Sequence, residues 1–271
     1  MRSISSDAHF VRKTPDIEVN ISSVEAAIEA VVTKMLARQG CALFTVNLDH
    51  MVKMRTDPAF LDAYLRATLV LADGWPIVWL LRRQGETLKR ATGADLLEPL
   101  CARAATLGLP AFFIGPSERS LTTGLATLQR RYAGLRVAGA DCGVVARDQI
   151  EAAADAYAES LRRSGAALCI LSLGAPKQEL LADALRRRCP DIAFICVGAA
   201  MDFISGEAPR APKSLQRLGL EWLWRMSSDP ARLWARYAAC MALFAELVLR
   251  SVVDKQACGL KGNLAPTTAG A

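Results

Sequence analysis

The chain has 271 residues, with 33 Lys+Arg against 27 Asp+Glu and a formal net charge of +6. Hydrophobic residues make up 52% and charged residues 22%. That is ample apolar side chain to offset the entropy of ordering, which excludes a disordered chain. At about 100–200 residues per domain, the length fits one large domain, alone or with an appendage.

In chain order, short apolar runs at 41–46, 68–72, 111–114, 135–138, 167–172 and 192–197 read as strands. A helix is expected at 76–83 after the second run, and helix-period segments at 93–107, 117–131, 149–163 and 176–188 separate the later ones. Continuous rather than alternating apolar strands, with helices between, predict a Rossmann-like parallel sheet covered by helices on both faces. Two prolines at 209 and 212 interrupt the pattern and set a boundary between an α/β core, 1–208, and a helical appendage, 209–271. The second appendage helix is expected to start at Asp229 as N-cap with Pro230 in its first position. The small, polar residues from Gly259 onward are expected to fray.

The charge is uneven. Residues 208–271 hold nine Lys/Arg and four acids, so +5 of the +6 lies there, with Trp222, Trp224 and Trp234. This composition predicts a polyanionic or interfacial partner. Nucleic acid also matches basic-aromatic interleaving, but no nucleic-acid module accompanies it. The eight cysteines form no C-x-x-C pair and most sit in apolar runs, so they read as reduced core thiols, consistent with the cytosol. Only His9 and His50 could complete a metal site with them, and no metal is expected. The N-terminus lacks the apolar core of a signal peptide. The longest apolar stretch, 237–253, is interrupted by Glu246 and Arg250 and falls short of the ~20 residues that cross a bilayer. The expectation is a soluble or peripheral protein.

In such a fold, ligands meet the residues just beyond the strand ends. Neither G-x-G-x-x-G after a strand nor G-x-x-x-x-G-K-[ST] occurs, which removes the dinucleotide fingerprint and the P-loop. No Asp-x-Asp occurs either, the pattern by which a nucleotide-sugar enzyme often holds a metal on the diphosphate. Asp73 closes an apolar run beside Gly74; there a carboxylate serves equally as a general base at a cleft floor or as cap of the helix that follows. Gly174 to Glu179 turns from a strand into a helix. Its N-terminus can take an anion, and Gln178 both donates and accepts; alternatively this is an ordinary turn with Glu179 complementing the helix dipole. Thr45 and Asn47 share strand parity and could face one cleft, or Asn47 or Asp49 simply caps the next helix. In the appendage, Arg232 and Arg236 share a helix face, and guanidinium groups bind phosphate oxygens bidentately.

Taken together the motifs resemble a known family. Thr45-Val46-Asn47, Ala72-Asp73-Gly74 with Pro76 and Val78, and Arg90-x-Thr92-Gly93-x-Asp95-Leu96 come first. Leu173-Gly174-x-Pro176-Lys177-Gln178-Glu179, Val197-Gly198 with Asp202-Phe203, Arg210-Ala211-Pro212, and Glu221-Trp222-Leu223-x-Arg225 followed by Pro230-x-Arg232 complete the order. This set resembles the WecG/TagA/CpsF glycosyltransferases, family 26, over roughly residues 20–250. The resemblance implies an inverting, metal-independent transfer, without cofactor, of a sugar from a UDP-sugar to a polyprenyl-diphosphate-linked saccharide. The setting it implies is surface-polysaccharide assembly by a peripheral protein at the cytoplasmic face of the bacterial inner membrane, without nucleic acid. It further implies Asp73 as general base, with Thr45, Asn47 and Gln178 around the donor sugar and reacting centre. Gly198 and Asp202 would line the nucleotide site, and Arg225 and Arg232 would reach the diphosphate. Family members often carry adjacent arginines after P-x-R; here the positions read Trp234-Ala235-Arg236, so one phosphate contact is either lost or taken by Arg236. The alternative from another class is a non-catalytic membrane-docking protein that binds a nucleotide sugar or polyprenyl phosphate.

Overall fold

The computed structural model describes residues 17–143, 145–217, 219–228, 230–253 and 260–264. Six strands, β2 (Cys41–Val46), β3 (Leu69–Ala72), β4 (Ala111–Ile114), β5 (Val137–Asp141), β6 (Leu168–Leu171) and β7 (Ala193–Cys196), form the main sheet. They run in the order β3-β2-β7-β6-β4-β5, and every pair is parallel. The expected doubly covered parallel sheet is therefore the fold. Strands β2, β3, β4, β6 and β7 are buried at every position, which is why their sequences show no alternation.

Helices follow the strands on both faces. On one side lie α2 (Leu48–Thr56), α3 (Pro58–Leu65), α4 (Trp75–Arg83), α7 (Ile150–Ser164) and α8 (Lys177–Arg188), packed with Phe44, Val70, Phe112 and Phe194. On the other lie α1 (Val24–Leu36), α5 (Gly93–Leu107), α6 (Glu118–Arg131) and α9 (Ala200–Ser205), packed with Leu43, Leu71, Phe113 and Ile195. Alternate residues of each strand serve alternate faces. Helix α5 approaches the end of β7 closely, and a Cβ at Gly93 would lie 2.9 Å from the Val197 backbone. Only glycine permits that contact without displacing the strand.

Two differences from the sequence-based expectation have clear local causes. Strand β5 starts at Val137 rather than 135, because the Leu135 amide bonds the Tyr132 carbonyl in the turn that ends α6. Residues 260–262 do not fray; they form β8 (Leu260–Gly262), paired in parallel with β1 (Ile17–Val19). Leu260 is fully buried in that pairing, and this anchors the segment. The appendage comprises α10 (Lys213–Arg217), α11 (Glu221–Ser228) and α12 (Pro230–Val253). Pro230 opens α12 as expected, whereas Asp229, the expected cap, lies outside the described residues. The inner face of α12 is not held apart from the core: Cys240, Leu243 and Leu247 join the cluster on the α2 and α4 side.

Candidate active site

The carboxyl ends of β2 and β3 are adjacent, so the residues after them meet. The Asp73 amide donates to the Val46 carbonyl at 2.8 Å, which fixes the first residue beyond β3 against the last of β2. From there Asn47 does two things. Its Oδ1 accepts the His50 amide at 3.0 Å, capping α2, and its Nδ2 donates to Asp73 Oδ2 at 3.4 Å. The cap, one of the alternatives weighed in the sequence, is therefore formed, and the same side chain also reaches Asp73. Strand β2 ends at Val46, and Asn47, the N-cap of α2, keeps an extended backbone at φ −132°, ψ 176°.

Asp73 itself does not cap α4. The N-cap position belongs to Gly74, at φ +87°, and makes no side-chain cap bond. The Asp73 carboxylate is half-buried and lies toward Asn47. Thr45 is buried, and its carbonyl accepts the Tyr64 hydroxyl at 2.7 Å. His50 Nδ1 lies 2.8 Å from the same carbonyl and 2.7 Å from the Tyr64 oxygen. Burial pushes His50 down to about 4, so the ring is neutral at pH 7 and belongs to the scaffold of this junction.

A second group of residues gathers beyond β6 and β7. Ser172, just after β6, donates to the Gly198 carbonyl, just after β7. The Gly198 amide donates to Gln178 Oε1 at 3.0 Å, and Gln178 Nε2 donates to Glu179 Oε1 at 2.8 Å. Gly198 sits at φ +60°, a conformation glycine adopts without strain. Gln178 and Gly198 are thus brought into direct contact, as the motif spacing alone did not show. Asp202, expected at the nucleotide site, accepts the Ser120 hydroxyl and ties α9 to α6.

Glu179 was read in the sequence only as a complement to the helix dipole. It is instead 1% exposed, and burial pushes its carboxyl up to about 7. No spacing rule marks it, because an acid in the first turn of a helix looks the same whether it faces water or core.

The appendage is latched to this end of the core by charge as well as packing. Arg236 Nε lies 2.8 Å from Asp49 Oδ1 on α2, and Lys53 Nζ lies 2.8 Å from Asp49 Oδ2. Lys53 also donates to the Ala175 carbonyl at 3.1 Å, in the loop that leads into α8. Burial would raise Asp49, but Arg236 and Lys53 outweigh it and hold the carboxyl below its ordinary range. Arg55 and Glu246 form a two-pronged pair at 2.7 and 2.9 Å, and Phe244 packs edge-on against Trp75 and Trp79 of α4. Arg210 pairs with Asp95 in the α5 capping box, and Arg90 lies 3.9 Å from Glu221 of α11.

These contacts revise the reading of the tail charge. Arg210 and Arg236 are matched by core carboxylates, and Arg236 latches α12 to α2. Arg225 falls on α11 and Arg232 in the first turn of α12, while their side chains lie outside the described residues. Among the described residues no group of three His, Cys, Asp or Glu side chains could hold a metal ion. A separate open cleft of about 440 Å³ lies at the opposite edge of the sheet, lined by Asp141, Gly143, Gln149 and Tyr157.

The fold is a Rossmann-like parallel α/β sheet whose strand ends present a carboxylate and two side-chain amides beside a docked helical appendage. The model of the glycosyl transferase WecG/TagA/CpsF family matches residues 13–257. The chain belongs to that family, whose members transfer sugars in polysaccharide biosynthesis. No helix among the described residues is long and apolar enough to cross a membrane.

Proposed function

We propose that the protein is an inverting, metal-independent glycosyltransferase that moves a sugar from a UDP-sugar to a polyprenyl-diphosphate-linked saccharide. The observation that carries this reading is the Asn47–Asp73 pair, which sets a half-buried carboxylate just beyond the ends of β2 and β3. Asp73 takes the proton of the acceptor hydroxyl as that oxygen attacks the anomeric carbon from the side opposite the departing UDP. Asn47 orients the carboxylate, and Thr45 and Gln178 border the donor sugar. Gly198 and Asp202 lie on the nucleotide side. A general base in such a position contributes about 10²–10⁴-fold to the rate.

Departure of UDP places negative charge on the diphosphate, which Arg225 and Arg232 neutralise from the appendage. The appendage also supplies a membrane contact. Trp234, Met241, Leu249 and Val252 are 52–71% exposed along α12, and apart from Arg236 the other described exposed positions between them are alanines. Arg236 is the charged residue among the described exposed positions of this helix, and it is paired with Asp49. Such a helix lies in a membrane interface rather than across it, which suits a peripheral protein at the cytoplasmic face of the bacterial inner membrane.

The test is transfer from a panel of UDP-sugars to lipid-linked acceptors of one and two sugars, with and without EDTA. Turnover that survives EDTA supports the reading; turnover lost to EDTA and restored by Mg²⁺ contradicts the metal-free step. The exposed apolar face of α12 alone also suits a non-catalytic protein that docks at membranes and binds a nucleotide sugar. UDP-sugar binding with no transfer to any lipid acceptor would favour that second reading.

A further inference from the structure

The carboxyl of Glu179 is buried with one of its oxygens unsatisfied among the described residues. It lies in the first turn of α8 at 1% exposure, and its Oε1 accepts one hydrogen bond, from Gln178 Nε2. Its Oε2 is buried and has no hydrogen-bond partner among the described residues. A buried carboxyl oxygen left unsatisfied costs stability, and an apolar side chain of similar volume at such a place is often more stable. Among the described residues, the side chain that this carboxyl holds is the Gln178 amide. Gln178 in turn gives its Oε1 to the Gly198 amide at 3.0 Å.

We propose that Glu179 is a positioning residue for the transfer reaction, holding the Gln178 amide in a single orientation across the ends of β6 and β7. An amide side chain can turn over and exchange its oxygen and nitrogen. At Gln178 both neighbours select the same orientation: the Gly198 N–H requires an acceptor, and an ionised Glu179 requires a donor. The ionised form makes the stronger bond, because a charged acceptor roughly doubles a neutral hydrogen bond. Protonation of Glu179 therefore loosens the hold on Gln178 and, through it, on Gly198.

The groups that face Glu179 set where this occurs. Asp49 and Lys53 approach from α2, Tyr64 from α3 and Cys196 from β7. Burial first, and then the Glu179 charge, pushes Tyr64 and Cys196 well above their ordinary values, so both stay neutral near pH 7. Asp49 is held in its ionised form by Arg236 and Lys53 against its own burial. Glu179, pushed up to about 7, is the member of this set that changes charge near neutrality.

The proposal rests on the glycosyltransferase reading for its catalytic consequence, so two readouts separate them. The first needs no substrate: the ¹⁵N–¹H signal of Gly198 is followed from pH 5.5 to 8.5 in the full chain. It should titrate with a midpoint near 7 in the wild type and stay flat in Glu179→Gln; a flat wild-type signal overturns the proposal. The second is turnover of whichever UDP-sugar and lipid acceptor the wild type uses. Above pH 8, Glu179→Gln and Glu179→Met should lose kcat by about tenfold or more, and Glu179→Met should melt at or above the wild-type temperature. The kcat of Glu179→Gln should also lose the acid limb near pH 7. Variants that melt lower yet keep wild-type kcat and pH profile would make Glu179 a merely structural residue. A titrating Gly198 in a chain that transfers no sugar would instead leave the network standing and overturn the reaction assigned to it.

Discussion

The Asn47 amide reaches Asp73 Oδ2 at 3.4 Å while the oxygen of the same amide caps α2. One side chain thus starts the helix after the first core strand and orients the carboxylate after the second. The two roles separate by substitution. Asn47→Asp keeps a capping oxygen but replaces the donor to Asp73 with a like charge. Asn47→Ala removes both and costs about 1 kcal/mol of stability for the cap. Turnover of Asn47→Asp should fall by about tenfold or more, and denaturant unfolding should show it less stable above the carboxylate range, where the two acids repel, than at pH 4. Equal activity in Asn47→Asp and wild type would show that the Asn47 donor is not used.

The Arg236–Asp49 pair makes a distinct prediction about the appendage. Asp49 is mostly buried and Arg236 is partly so, and the pair bridges α12 and α2. A double-mutant cycle on Arg236→Ala and Asp49→Asn, followed by urea unfolding, should give a coupling of about 0.5–3 kcal/mol. The KM for the sugar donor should remain near wild type in Arg236→Ala. Zero coupling together with a large rise in donor KM would return Arg236 to the diphosphate.

The outward face of α12 should carry membrane affinity. Trp234→Glu and Leu249→Glu place charge at positions 67% and 70% exposed, where folding is little affected. Cosedimentation with vesicles containing anionic lipid should fall sharply in each variant, with unchanged circular dichroism. Wild-type binding by both variants would move the membrane contact elsewhere.

Stability should carry two opposed pH dependences in neighbouring groups. His50 is pushed from 6.5 down to about 4 by burial, so its contribution is complete above 6.5 and lost as pH falls through 4. Glu179 is pushed from 4.5 up to about 7, so its contribution is complete below 4.5 and lost as pH rises through 7. Between pH 4.5 and 6.5 the two slopes oppose each other. Thermal unfolding of Glu179→Gln across this window should rise with pH more steeply than wild type, and that of His50→Gln should fall. Parallel curves for all three proteins would contradict the buried states assigned to both groups.

Much of this was readable in the residues. The strands at 41–46 and 111–114 have the same bounds in the structure, because continuous apolar runs between helix-period segments have few other folded solutions. Asn47, Asp73, Gln178 and Gly198 were all marked by lying just beyond strands. Their grouping into an Asn47–Asp73 pair and a Gln178–Gly198 pair was not, since it follows from the strand order β3-β2-β7-β6, which spacing along the chain does not encode. The tail charge was read as available to external anions, and part of it instead meets Asp49 and Asp95. Net charge counts residues but does not reveal which carboxylates fold against them. Glu179 was missed for a similar reason, because burial of a helix-start acid depends on what packs over it.

The most direct measurement is turnover of Asp73→Asn with the UDP-sugar and lipid-linked acceptor that the wild type uses, alongside donor binding to the same variant. The expected result is a fall in kcat of about 10²–10⁴-fold with donor affinity near wild type, because the side chain keeps its shape and loses the ability to take a proton. Turnover close to wild type would contradict the assignment of Asp73 as base and, with it, the proposed site.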